Sequence, residues 1–520
     1  MKRKVSSKNI KPFSAERLIP ALLLLVCAVL FVLRLTGPDN LMDNDQERPA
    51  SYILDVVNHA NWICQKDYTG HITSKPPLYT WLAAASTISF GSGTISLFTL
   101  YLPCFFSILG TALILFWGGK RFLDWRVAAL GAFFFIVSPM GMKQIALART
   151  DSLFTFTVTL TAFIGYYAWN SQTRWMWIAF WLAAALSGLT KGPLGLLLAS
   201  GGFLSYFWNR KTSLKQPAFS WSILSGIFLY LGLVGGWLLF AYLSEGESVY
   251  NKIIKSELLD HAVGSDYGWT GAGLLKTPTY LISRFLPWSI LGIWGIVLAF
   301  RKPSTNPETR RFEHFLLFWI FTGWIILGMA THQRGDLIFP LIPPLSLLSA
   351  KALFEYIPYK FRENSIMFLR TLILLNAIGL SLILFYNRVI FANQSVVFES
   401  RVMEKAANNI KEAGYDLKEL YYYQTPFTLQ FHLNSMSVEL GETELIDFFT
   451  SPEPKLLSVG NLDEFEKNLA DAPVSYRIIY KWYLDEEPFL YLVANEAWSS
   501  SAATLSSHTR KFSSSTLYKE

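Results

Sequence analysis

A chain of 520 residues would ordinarily make about three or four soluble domains, but 52% hydrophobic against 16% charged residues is too apolar for that class, so lipid is part of the solvent. The formal net charge of +7 does not point to nucleic acid, because Lys and Arg fall in short clusters between apolar blocks rather than on one face. Cys27, Cys64 and Cys104 lack metal-site spacing and support neither a disulfide framework nor a zinc site.

The apolar blocks predict a polytopic α-helical membrane protein with about eleven or more spans, at roughly 18–35, 94–118, 127–142, 152–169, 174–189, 192–208, 219–243, 281–300, 312–330, 336–350 and 366–391. The first block is long for a signal peptide and lacks a clear cleavage site after it, so it reads as a retained helix. With residues 1–17 on the cytoplasmic side, the connections holding Lys120, Arg121 and Arg126, Arg174, Arg210 to Lys215, Arg301 to Arg311, and Lys351 to Arg362 all fall on that same side. The opposite side then carries two long loops, about 37–93 and 244–280, with short turns around 149–151, 190–191 and 331–335.

Residues 1–391 therefore form the membrane part. The composition turns soluble after about 392, and an odd number of spans puts this part outside too. Residues 399–414 read as helical and 420–423, 428–433, 477–482 and 489–493 as short strands, giving a small α/β domain over 392–498. The Ser/Thr-rich stretch 499–520 reads as a disordered tail.

Polar residues concentrate on the outer side. The first outer loop opens Asp43-Asn44-Asp45-Gln46-Glu47-Arg48, where a carboxylate near the membrane surface suits a general base for an acceptor hydroxyl; the same residues also suit a solvated loop capping a helix near Pro49. The loop ends Ser74-Lys75-Pro76-Pro77-Leu78, which holds Lys75 at the interface to meet a lipid phosphate or to snorkel toward water. Arg149-Thr150-Asp151 sets a phosphate-binding cation and a carboxylate at a helix start, where Asp151 also suits an N-cap. Lys191 sits in the tight turn Leu189-Thr190-Lys191-Gly192-Pro193, and Gly and Pro account for the turn but not for the lysine. Glu257 and His261 in the second outer loop, and His332 and Arg334 in the compact cluster 331–336, complete the set. Such convergence of donors suits a phosphate-bearing amphiphile better than an ion pathway.

In order and spacing, Asp45-Gln46-Glu47-Arg48, Lys75-Pro76-Pro77-Leu78, Arg149-Thr150-Asp151, Leu189-Thr190-Lys191-Gly192-Pro193, Leu286-Pro287-Trp288 and Asp336 through Leu345 resemble the GT-C membrane glycosyltransferases of the aminoarabinose-transferase and protein-mannosyltransferase-like superfamily. The resemblance covers most of residues 20–350. It implies a polyprenyl-phosphate sugar donor and an acceptor outside the cytoplasm, such as lipid A, another envelope glycan or a protein, in an inner or plasma membrane with the active site facing the periplasm or cell exterior. It gives Asp45 the catalytic role, with Asp43 as understudy and Asp151 as second carboxylate. Arg48, Lys75, Arg149, Lys191, Glu257, His261, His332 and Arg334 are the expected substrate-binding residues. Gln46 stands where relatives carry Glu, and Ser74 where they carry the Glu before Lys-Pro-Pro, so no cofactor is required and dependence on a divalent metal stays open. The rival classes are a flippase or transporter of lipid-linked sugars and a noncatalytic envelope scaffold.

Overall fold

The computed structural model describes residues 15–38, 41–42, 44–171, 173–208, 221–260, 271–330, 333–358, 364–470 and 474–498, with the backbone alone for residues 44 and 257–260. Asp43, His261, His332 and the tail 499–520 lie outside the described residues.

Among the described residues five helices are long and apolar enough to cross a membrane: Ala15–Leu35, whose α-helical part is α1 (Ile19–Leu35), α4 (Leu97–Gly119), α10 (Trp221–Glu245), α13 (Pro307–Met329) and α15 (Ser365–Asn393). Shorter apolar helices pack among them: α5 (Trp125–Ile136), α8 (Met176–Lys191), α9 (Leu194–Trp208) and α12 (Trp288–Arg301). The Thr-rich α7 (Asp151–Ser171) lies between α4 and α8, and α14 (Ile342–Tyr356) between α5 and α12. Helices α1, α10 and α15 leave most of their apolar surface uncovered by protein, which is the face a bilayer solvates.

Proline divides several segments that read as continuous in the sequence. The segment 127–142 is two helices, α5 and α6 (Pro139–Gln144), because Pro139 bars the preceding residues from helical geometry and can open the next helix. Pro287 likewise separates α11 (Ala272–Arg284) from α12. The connection 37–93 between α1 and α4 is largely helical: it holds the amphipathic α2 (Asn44–His59) and the short apolar α3 (Leu78–Phe90), which opens after Pro77. Close helix contact relies on small residues, most plainly at Gly295, where an added Cβ would stand 2.3 Å from the Leu348 carbonyl oxygen.

Beyond α16 (Ser395–Glu412) the chain builds a four-stranded mixed sheet in the order β1-β2-β4-β3, from β1 (Leu420–Tyr423), β2 (Leu456–Val459), β3 (Arg477–Leu484) and β4 (Glu487–Ala494). Strands β1 and β2 are parallel, and β4 runs antiparallel to both β2 and β3. Alternation along β4 sends Leu490, Leu492 and Ala494 to the face covered by α16, and Tyr491 and Val493 to the face covered by α18 (Glu442–Thr450) and α19 (Leu462–Leu469).

One expected strand is a correction. Residues 428–433 belong to a helix, α17 (Phe427–Leu433), entered from Pro426. The alternation of Leu429, Phe431 and Leu433 suggests period two, but Gln430 between them and Thr428 ahead of them are buried as well and only His432 is partly exposed, so the pattern carries little periodicity. Phe427 and Phe431 join the core of the helical bundle, and Phe427 stacks on Tyr68 of the connection 37–93 with ring centroids 5.6 Å apart. The carboxy-terminal unit therefore packs onto that connection rather than hanging from a linker.

Candidate active site

The site is assembled from three chain segments far apart in sequence. Asp45 lies in the first turn of α2, where backbone N–H groups and the helix dipole favour negative charge. Arg149 stands just ahead of α7 in a connection whose backbone is tied on several sides. Its own N–H donates to the Leu147 carbonyl at 2.8 Å, Cys104 Sγ donates to that same carbonyl at 3.0 Å, and Ser152 Oγ donates to the Gln144 carbonyl at 2.5 Å. The Ala148 N–H donates to Gln46 Oε1 at 3.1 Å, so this side-chain amide ties α2 to the segment bearing Arg149. Arg334 comes from the turn between α13 and α14.

These residues meet in one network. Arg149 Nη2 donates to Asp45 Oδ2 at 2.7 Å, and Arg334 Nη2 donates to the same oxygen. Arg149 Nη1 donates to Asp336 Oδ2 at 2.6 Å, so one guanidinium bridges two carboxylates with its two terminal nitrogens. Lys143 Nζ closes the far side on Asp336 at 3.1 and 3.2 Å. Lys143 is held there by α6, whose Ser138 Oγ accepts from the Gly141 N–H at 3.0 Å and whose first residue is Pro139. Burial raises the Asp336 pKa, but Lys143, Arg149 and Arg284 outweigh it and hold the carboxyl below its ordinary range. The cluster thus sets four cations against two carboxylates, an excess that suits an anionic ligand.

Asp151 does not share Arg149's partners. It pairs with Lys191 Nζ, and both side chains are only 11% exposed. Lys191 also lies 5.3 Å from the centre of the Phe154 ring. Arg48 faces elsewhere, its Nε 3.8 Å from Asp67 Oδ2 and its side chain more than half exposed. At Lys75 the backbone is held by Thr73, whose Oγ1 accepts from the Lys75 N–H at 3.3 Å and donates to its carbonyl at 3.0 Å. Glu257 lies on the π-helical stretch Tyr250–Asp260. Among the described residues no three His, Cys, Asp or Glu side chains converge to hold a metal ion. A small hollow lined by Tyr166, Trp169, Tyr206 and Arg311 is made by the far ends of α7 and α9 and the start of α13, a helix length from this chemistry.

Lys143 and Asp336 are the members of the network that reading the sequence leaves without a role. Lys143 shows in the sequence as an isolated charge and Asp336 as the last residue of the compact cluster 331–336, and the pairing that joins them spans 193 residues.

The family model described as dolichyl-phosphate-mannose-protein mannosyltransferase matches residues 74–239. The solved structure of ArnT from Cupriavidus metallidurans bound to undecaprenyl phosphate superposes with a TM-score of 0.69 at 16% identity, covering 93% of this chain and 98% of that one. The chain has the fold of ArnT and is similar in sequence to the GT-C glycosyltransferases. Among curated GT-C-like relatives, the undecaprenyl phosphate-alpha-4-amino-4-deoxy-L-arabinose arabinosyl transferase of Pseudomonas savastanoi pv. phaseolicola (strain 1448A / Race 6) is 26% identical over 344 residues, 64% of this chain and 61% of its own length. An uncharacterized protein of Aquifex aeolicus (strain VF5) is 26% identical over 336 residues, 62% of each chain. These matches thus span under two thirds of either relative. The superposition on ArnT extends through most of the chain and carries the GT-C architecture.

Proposed function

We propose that this protein transfers a glycosyl group from a polyprenyl-phosphate carrier to an acceptor outside the cytoplasm, such as lipid A, another envelope glycan or a protein. The observation that carries the reading is the clasp of Asp45 by Arg149 and Arg334 within a cluster rich in cations. A donor phosphate offers the same guanidiniums a second anion, and as it binds them it frees the Asp45 carboxylate. The acceptor hydroxyl then attacks the anomeric carbon and gives its proton to Asp45. The bond from that carbon to the phosphate oxygen breaks, and its electron pair stays on the phosphate, where Arg149 and Arg334 stabilise the added charge. Lys191, set by Asp151, and Lys75 are further cations for the donor. The arabinosyl transferase name of one relative supports an undecaprenyl-phosphate donor class. The bundle of about eleven spans then opens this face to the periplasm or exterior, with the carboxy-terminal unit on the same side.

The test uses purified protein in lipid nanodiscs with undecaprenyl-phosphate-linked aminoarabinose or mannose as donor and an envelope extract as acceptor, following release of undecaprenyl phosphate. Asp45→Asn is expected to lower turnover by about 10²–10⁴-fold while donor binding persists. Transfer that survives this substitution would remove Asp45 from the chemistry. Donor binding without transfer by the unaltered protein would favour a flippase. Comparing envelope lipids and glycoproteins with and without the gene identifies the acceptor.

A further inference from the structure

Three consecutive residues in the first turn of α2 splay in three directions, because each step along a helix turns it by about 100°. Asp45 meets Arg149 and Arg334, Gln46 accepts from the Ala148 N–H, and Glu47 turns toward the carboxy-terminal unit. Glu47 is 3% exposed, and its Oε1 accepts from both the backbone N–H and the Oγ1 of Thr428, each at 3.1 Å. Thr428 is the second residue of α17, whose entry residue, Pro426, has no side-chain cap to offer. A carboxylate from 381 residues earlier thus does the work of the missing cap, accepting an orphan N–H where the helix end favours negative charge.

The other end of α2 is held by the same unit. Asn58 Oδ1 accepts from the Met436 N–H at 2.9 Å, and the loop after α2 adds the Glu439 N–H to Tyr68 carbonyl bond at 2.8 Å. The Ile95 N–H donates to Asn434 Oδ1 at 2.8 Å. Both the first and the last turn of α2 are thus tied to the carboxy-terminal unit, the first by a buried bond and the last by a part-buried one.

We infer that Glu47 is a positioning residue for Asp45, and that the carboxy-terminal unit completes the active site by holding Glu47 through the end of α17. This rests on the reading of Asp45 as the acceptor's base. Losing the tie lets the first turn of α2 shift, and Asp45 moves off the line to the acceptor, while the donor cations Arg149, just ahead of α7, and Arg334, in the turn before α14, sit on other segments. The effect therefore falls on turnover rather than on donor affinity.

The experiment measures kcat and KM for the undecaprenyl-phosphate-linked donor, together with amide hydrogen exchange over residues 427–433, in the full-length protein and in Glu47→Ala, Glu47→Gln and Thr428→Val. Expected are a fall in kcat of roughly tenfold or more in Glu47→Ala with KM within about twofold, a smaller fall in Thr428→Val, and substantial recovery in Glu47→Gln, which keeps an acceptor oxygen. Exchange at the start of α17 should quicken in the same order. Should Glu47→Ala fail to fold, the milder Thr428→Val carries the same expectation. Wild-type kcat in a variant with quickened exchange overturns the positioning role, and unchanged exchange overturns the cap. If the unaltered protein releases no undecaprenyl phosphate while exchange still responds, the transferase reading fails and Glu47 is left as a structural cap alone.

Discussion

Lys191 shows how backbone chemistry prepares a charge for use. It sits in the last turn of α8, where the helix dipole favours a cation, and Asp151 opens α7, where it favours an anion. Gly192 makes the abrupt exit at φ 68°, which a residue with a Cβ adopts only under strain, and Pro193 turns the chain into α9. The two helix ends therefore deliver opposite charges to one buried point. Removing either partner leaves the other uncompensated, so Asp151→Asn and Lys191→Met should each cost about 3–5 kcal/mol, and the double variant markedly less than their sum. Thermal unfolding in one detergent, run as a double-mutant cycle, checks this. Such pairing is hidden in the sequence, where Asp151 stands beside Arg149 and invites the wrong partner. The triplet marks the right place because polar residues at a membrane edge are conspicuous, but Arg149 and Asp151 leave it in different directions.

At the level of elements, apolar block length reveals where helices run, while Pro139 and Pro287 show where they break only once their neighbours are known to be helical. The strand expected over 428–433 fails for a related reason: with His432 alone partly exposed, the segment has almost no wet face to print a period on its residues. Helix contacts inside the bundle are equally illegible, since any small residue suits them in principle. Gly295 is a case with a definite cost, because its neighbour is the Leu348 carbonyl rather than a flexible side chain. Gly295→Val should push α12 from α14 and lower stability by about 1–3 kcal/mol, the usual penalty of overpacking. A lower unfolding midpoint with donor affinity retained in the protein still folded is the expected result, and Gly295→Ala should show the same change in smaller measure.

For the molecule as a whole, the seam between the membrane part and the carboxy-terminal unit is acidic. Burial lifts the Glu439 pKa from 4.5 to about 7; the Thr425 N–H lowers it in part, and Glu47 and Asp67 raise it further. Because the folded protein holds this proton more tightly than the unfolded chain, the stabilisation is complete below pH 4.5 and is lost as pH rises through about 7. Glu439→Gln should remove this contribution and flatten the pH dependence of the unfolding midpoint across that interval, as thermal scans at several pH values can verify. Composition reveals that a soluble part follows the last span, but which surface it meets depends on contacts such as Glu47 to Thr428 that no local pattern encodes.

That long-range contact also has a temporal side. Thr428 is translated 381 residues after Glu47, which at about 5–20 residues per second is a delay of roughly 20–80 seconds. A nascent chain already threaded into the bilayer would thus carry Asp45 for tens of seconds before the final brace arrives, and a ribosome stalled short of that point would leave an inserted but idle protein.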